Sequence, residues 1–283
     1  MSAVNVPLMT GTVGEGTMSR IHFTAVVASG ARIAEDVEIG PHCCIGPQVE
    51  IEAGSVLLAN VVIDGQTRIG PGNRIHPFAS LGQPPQYVGF KRQPSGLDVG
   101  RNNLIREYVT MNAGTSTEGI PTHVGDNGLF MRGAHVAHDC RIGDNVVMAN
   151  RATLAGHVTV GDYAVVGNLT AVHQFCRIGK HAIVAGSTAV GKDIAPFAIA
   201  AGYGPHLRGL NIAGLRRQKF SHRDIQALRD AYREIFLGSG GFAERLDIVA
   251  ARYRDNAVVM VLVTFITADA TRPICTVTAD TNE

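Results

Sequence analysis

The sequence predicts a mainly β chain: a three-sided coil of short parallel strands followed by a small α-helical unit. Three observations predict it. Large aliphatic residues recur at every sixth position over long stretches, glycine is abundant at 33 of 283 residues, and aromatic residues reach only 6% with no Trp. That composition excludes a core built around large rings and favours many tight backbone positions.

The period comes first. Stepping by six from Ile21 to Leu81, and again from Val124 to Val190, every slot holds a large aliphatic residue or Phe. At 45% hydrophobic content, chance fills so long a run about once in 10⁸. Helices repeat apolar residues at three and four, and simple hairpin sheets alternate by two, so neither fits. A second column of small or β-branched residues lies four positions after each slot, as at Cys43, Val49, Ser55, Ala134, Cys140 and Ala152. Each unit therefore makes one side of a triangular coil, a short strand and then a turn. Three units, eighteen residues, return the chain one strand spacing (about 4.8 Å) higher.

Val99, Ile105 and Met111 continue the first phase, while Gln83-Pro84-Pro85 and Pro94-Ser95-Gly96 mark residues 83–98 as a loop thrown out from the coil. The phase slips by one between Met111 and Val124, which places a second excursion at 114–123. The period stops at Ala195-Pro196. From Ser221 the pattern is helical: Ser221 caps, Asp224 sits at the third position, and Ile225, Leu228, Ala231, Tyr232 and Ile235 line one face. A second helix is expected from Phe242 to Arg254 and a third from near Asn256. The expected organisation is a mobile extension at 1–20 (with Met18 an alternative start), the β prism at 21–200, a helical domain at 201–270 and a mobile tail at 271–283.

Composition also excludes function classes. A net charge of +1 gives no basic field for nucleic acid. Five cysteines without C-x-x-C spacing read as reduced small hydrophobes of a cytoplasmic protein, neither a disulfide framework nor a zinc site. No secretory signal is visible, and the longest apolar run, 258–266, is far short of the roughly 20 residues of a membrane-spanning helix.

Candidate chemistry rests on histidines. His22, His42, His76, His123, His181, His206 and His222 are scattered and read as surface or turn residues. His135, His138, His157 and His173 are placed outward or at turns by the repeat. Advancing eighteen from His138 reaches Gly156 and another eighteen reaches Gln174, while Asp139 and His157 form a second such pair. One patch therefore gathers His138, Asp139, Gly156, His157, His173 and Gln174. Imidazole suits proton transfer near neutral pH, and a glycine admits substrate to a backbone N–H that can meet an oxyanion. The alternative is polar decoration of an outer face. Cys140 and Cys176 fall in the small interior column and read as buried spacers. His135 and His138 are only a weak metal pair, and no P-loop, dinucleotide fingerprint or Gly-x-Ser-x-Gly elbow occurs. The basic stretch Arg216-Arg217-Gln218-Lys219 with Arg223 reads either as a site for a diphosphate or acidic carrier, or as a solvated helix face.

Three segments carry a resemblance: Ala134-His135-Val136-Ala137-His138-Asp139-Cys140, Ala152-Thr153-Leu154-Ala155-Gly156-His157 and Ala171-Val172-His173-Gln174-Phe175-Cys176. With Asn211-Ile212 and Gly214-Leu215-Arg216-Arg217, they resemble the acyl carrier protein-dependent UDP-N-acetylglucosamine O-acyltransferases of lipid A synthesis, over about 21–236. The resemblance implies a left-handed coil, opposite to the ordinary crossover rule, and a homotrimer with sites between neighbouring prisms; no cofactor or metal is expected. It implies His138 as general base on the sugar 3-hydroxyl, Asp139 as its orienting acid, and the Gly156 amide as oxyanion donor. The acyl donor is then a 3-hydroxyacyl group on acyl carrier protein. His135, His157, His173 and Gln174 position substrates, Asn211 and Arg217 hold the nucleotide or pantetheine portion, and Gly186 leaves the acyl groove long. The chain departs from the family at Pro84-Pro85-Gln86-Tyr87, where an acid and a lysine are replaced (Lys91 or Arg92 being the substitutes at hand). It departs again at Met111-Asn112-Ala113-Gly114 and at Gln218. The sequence is also open to reading as an N-acyltransferase on a UDP-amino sugar, a zinc hydratase resembling γ-type carbonic anhydrases, or a trimeric binding protein without catalysis.

Overall fold

The computed structural model describes residues 20–91, 95–268 and 271–277. The expectations for 1–19 (Met18 included), Arg92 and 278–283 lie outside the described residues.

Among the described residues, three sheets of nine, eight and ten strands, parallel throughout except for the last strand of the third, form the sides of a left-handed β-helical prism. Strands are mostly two residues long, and each pairs with the strands one coil below and above. His135 lies beside Thr153, and Thr153 beside Ala171, so the eighteen-residue coil predicted from the period is the observed register. The first face runs from Val26–Val27 to Ala189–Val190, the second from Arg32–Ile33 to Arg177–Ile178, and the third from Glu38–Ile39 to His206–Leu210. Sixfold slots such as Ile63, Ile105, Met148 and Val184 are fully buried. Cys43, Cys140 and Cys176 fill the small column as expected, and burial pushes the Cys140 thiol up to about 12.

Polar residues share that column. Asn73 donates to the carbonyls of Gly70 (2.6 Å) and Gly100 (2.8 Å), and its Oδ1 accepts from the amide of Asn103 (2.9 Å). Asn103 donates in turn to Gly125 O (3.0 Å). This buried amide ladder replaces aliphatic packing because its members satisfy one another and the backbone.

Both excursions are present, and the register measures them. Leu81 pairs with Met111, thirty positions on, and Met111 with Val136, twenty-five on, against eighteen for a plain coil. The first insertion is a multiple of six and preserves the sequence phase; the second is not, which is the slip. Near the end the coil shortens: Ile183 pairs with Ile199, sixteen on, so the sixfold pattern is lost although the prism continues. The chain then reverses as the antiparallel strand His206–Leu210.

Among the described residues four helices follow: α1 (Ile212–Arg217), α2 (His222–Leu237), α3 (Phe242–Arg252) and α4 (Ala257–Thr267). Ser221 caps α2 by accepting from the Asp224 amide at 3.0 Å, and Ile225, Leu228, Ala231, Tyr232 and Ile235 are buried, as the sequence pattern predicts. Asn256 caps α4 through the amides of Val258 and Val259. The short α1 was not visible in the sequence because six residues carry too little periodicity. Among the described residues no helix is long and apolar enough to cross a membrane.

Residues 271–277 show no sequence pattern, yet they are stitched to the prism as a strap. Asp193 N–H donates to Pro273 O (2.9 Å), Cys275 N–H to Asp193 O (2.8 Å), and Leu207 N–H to Thr276 O (2.9 Å). The Asp193 carboxylate, 1% exposed, accepts from Arg177 Nε at 2.7 Å. Arg177 also donates to Phe265 O and lies over the Phe265 ring at 4.4 Å. One ion pair, its carboxylate buried and its guanidinium half-buried, thus ties the last coil to α4 and the strap. Replacing one partner strands the other. Asp193→Ala is therefore expected to cost about 3 kcal/mol of stability, measured by urea unfolding. A loss within a few tenths would contradict this account.

Candidate active site

All three histidine segments turn at one corner, between the first and second faces. The chain leaves His135–Val136 and enters Arg141–Ile142; one coil up it leaves Thr153–Leu154 for Thr159–Val160, and above that Ala171–Val172 for Arg177–Ile178. Backbone bonds run up the corner, from His157 N–H to His138 O (3.0 Å) and from Phe175 N–H to Gly156 O (3.2 Å). Asp139, His157 and Phe175 stack with φ near +60°. Turn geometry, not side-chain chemistry, sets this spacing: each corner residue in the left-handed region reverses the chain toward the next face.

His138 Nδ1 lies 2.7 Å from Asp139 Oδ2. With that nitrogen donating to the carboxylate, the Nε2 lone pair is left as a base. Asp139 is held from several sides: the Thr115 amide donates to Oδ1 at 2.8 Å, the Thr115 hydroxyl to Oδ2 at 2.6 Å, and its own N–H donates to Thr122 Oγ1. Burial pushes the Asp139 carboxyl up, but the Thr115 and His138 hydrogen bonds and the neighbouring His157 outweigh it, so the acid sits below its ordinary value. His157 Nε2 is 3.4 Å from the same oxygen, and its ring stacks on Phe175 at 4.6 Å. Burial lowers the His157 pKa, Asp139 opposes that and His138 adds to it. His135, on the adjoining strand, meets Thr110 Oγ1 at 2.7 Å, and burial with the nearby His138 lowers its pKa as well.

Gly156 is required by His138. A Cβ there would fall 2.7 Å from His138 Nε2, with Cε1 closer still, so any side chain displaces the ring. The amides on either side, of Ala155 and His157, donate to Val172 O and His138 O, and the Gly156 N–H lies between them.

Both excursions emerge at this same corner. Asn112 Nδ2 donates to the carbonyls of Gln83 and Pro84, Ser95 Oγ donates to Ile120 O, and the amides of Gly114 and Thr122 both donate to Gly96 O. Asn112 thus pins the start of the first loop. That loop brings the Tyr87 ring to 5.9 Å from the His138 ring. His173 and Gln174 sit exposed at the top of the corner.

The structure gathers His135, His138, Asp139, Gly156, His157, His173 and Gln174 along one edge. It does not bring Gly186, Asn211 or Arg217 there. Gly186 lies on the corner between the third and first faces, above Asn168. Asn211 caps α1 and donates to His181 O, at the remaining corner. Arg217 is exposed in the last turn of α1. Thr115, Thr122 and Arg272, which contact these residues, escaped sequence reasoning because two lie in or beside an excursion and the third in a patternless segment. His138, Asp139 and His157 also offer ligand atoms within 4.8 Å of one another. Asp139, however, already accepts three hydrogen bonds.

Because the folded pKa of Asp139 is depressed, the stability it contributes is present above its unfolded value of about 3.9 and is lost as pH falls through the folded value. The stability gap between the parent and Asp139→Asn should therefore shrink on acidification from about pH 6 to about pH 3, as followed by urea unfolding at each pH. A gap that stays constant or widens would remove the carboxylate from this role.

Comparison with known proteins reveals close similarity. A family profile described as Udp N-acetylglucosamine O-acyltransferase, domain 2, matches residues 193–275. The acyl-[acyl-carrier-protein]–UDP-N-acetylglucosamine O-acyltransferase of Rickettsia prowazekii is 53% identical over 257 residues, 91% of this chain and 97% of that protein. The enzyme of the same name from Azorhizobium caulinodans is 55% identical over 252 residues, 89% and 93% of the two chains. Among solved structures, LpxA from Acinetobacter baumannii matches with a TM-score of 0.87 at 38% identity, covering 90% of this chain and 99% of that one.

Proposed function

The chain belongs to the acyl-[acyl-carrier-protein]–UDP-N-acetylglucosamine O-acyltransferase family, and from that premise we propose how its corner site works. It is an acyltransferase that moves an acyl group from acyl carrier protein to UDP-N-acetylglucosamine, the opening step of lipid A synthesis. The acyl group is a 3-hydroxyacyl chain and the acceptor is the sugar 3-hydroxyl. The single observation that carries this reading is the His138–Asp139 pair at 2.7 Å beside Gly156.

His138 Nε2 removes the proton of the sugar hydroxyl as its oxygen attacks the thioester carbonyl. Asp139 fixes the ring orientation and steadies the imidazolium that forms, as in other His–carboxylate pairs. The tetrahedral oxyanion meets the Gly156 N–H. Collapse breaks the C–S bond, and the proton held by His138 passes to the departing thiolate of the carrier. His135, His157, His173 and Gln174 line the edge along which the substrates lie.

The remaining assigned positions argue for assembly. Gly186, Asn211 and Arg217 lie away from the histidine corner of their own prism, so one prism cannot gather the whole substrate site. A homotrimer that sets the histidine corner of one prism against a different face of its neighbour does so. The prism, 21–200, then carries the chemistry. The helical unit, 201–270, supplies Asn211 and Arg217 toward the nucleotide or pantetheine end. Gly186 bounds an acyl groove left long by its missing side chain. No cofactor enters these steps.

His138→Ala is expected to lower kcat by about 10² or more while the prism stays folded, as checked by circular dichroism. The assay is mass spectrometry of products from UDP-N-acetylglucosamine and a mixed pool of hydroxyacyl carriers. Near-parental turnover in that variant refutes the base assignment. Preferential acylation of a UDP-amino sugar by the parent refutes the acceptor.

A further inference from the structure

At the top of the histidine corner the strap reaches the site. Arg272, half-buried, places Nη2 2.7 Å from His173 Nδ1 and donates from Nε to Gln174 O at 3.1 Å. A guanidinium has five N–H donors and no acceptor. At 2.7 Å, therefore, His173 Nδ1 must present its lone pair and carry no proton. The competing arrangement, Nδ1–H donating to Gln174 O, spans a longer 3.3 Å and would set the Nδ1 proton against the Arg272 donor at 2.7 Å.

We propose that Arg272 is a positioning residue of the acyltransfer site: it locks His173 as the neutral tautomer protonated on Nε2, so that the imidazole offers an N–H donor to an acceptor oxygen of the substrate. The inference rests on the reading of His173 as a substrate-contacting residue, and it adds the strap to the machinery. The geometry favours a lock over a chance contact because Arg272 grips both the side chain of His173 and the backbone of the next residue. The strap itself is held independently, by the backbone bonds of Asp193 with Pro273 and Cys275 and of Leu207 with Thr276. Loss of the Arg272 side chain therefore leaves the strap docked. The fork is also fixed in direction: two donors of one planar group meet two acceptors on adjacent residues, which fixes the angle of the imidazole as well as its protonation.

The full chain, labelled with ¹⁵N-histidine and with His173 assigned by its loss in His173→Ala, tests this. In the parent, the His173 Nδ1 shift is expected to be that of an unprotonated ring nitrogen and Nε2 that of an N–H. Arg272→Met should mix the two tautomers and raise the KM for UDP-N-acetylglucosamine or for the acyl carrier roughly tenfold, with kcat changed less. Arg272→Lys, which keeps one donor, should restore the tautomer in part. In a His173→Ala background, Arg272→Met should add nothing, because its effect passes through the imidazole. Should Arg272→Met fail to fold, Arg272→Lys bears the same readouts. A protonated Nδ1 in the parent, an unchanged tautomer in the variant, an unchanged KM, or additive losses in the double variant each overturn the proposal. A parent that shows the lock and transfers no acyl group overturns the functional reading instead.

Discussion

Vertical register between coils is the constraint from which everything else follows. Each two-residue strand is too short to be stable alone, and it holds only because parallel neighbours above and below take its backbone groups. The same ladder fixes side chains. A residue at a corner is carried directly over the one eighteen positions earlier, so His138 lies beneath Gly156, and Asp139 beneath His157 beneath Phe175. Catalytic geometry here is a by-product of backbone pairing, and it needs no mobile loop to assemble it.

That rigidity explains the division of labour at the corner. The ladder supplies His138, Asp139 and Gly156 at fixed separations, while the two excursions supply what the ladder lacks. Thr115 gives Asp139 two hydrogen bonds that keep it ionised and unable to rotate away from the imidazole. Asn112 and Ser95 join the excursions to each other and to the first face, so the loops hold their place against the site. Asn112, where the resemblance leads one to expect a different residue, has a structural role that the sequence pattern alone would not suggest.

The prism was legible because its signal is additive: each coil repeats the same burial rule, and many weak slots together exclude chance. The corner cluster was legible for the same reason, since stacking follows from counting. What escaped was whatever the count does not govern. Thr115 lies in an excursion where register has no meaning. Asn73 and Asn103 break the apolar rule of the inner column because their amides satisfy each other, a pairing visible only in three dimensions. The final coil, two residues short, hid strand Ala198–Ala201, and the strap carried no periodicity to betray that Arg272 returns to His173.

The two insertions leave the coil at a corner and rejoin it with the ladder intact. A single residue added inside a strand would rotate every later side chain, inward to outward, through all the coils above. Added within an excursion, it changes only the closure of a loop whose ends are already pinned, and doubling such a loop costs roughly 0.6 kcal/mol. The edge that performs the chemistry is therefore also the edge at which chain length is free to vary, and substrate preference can drift there while the scaffold stays put.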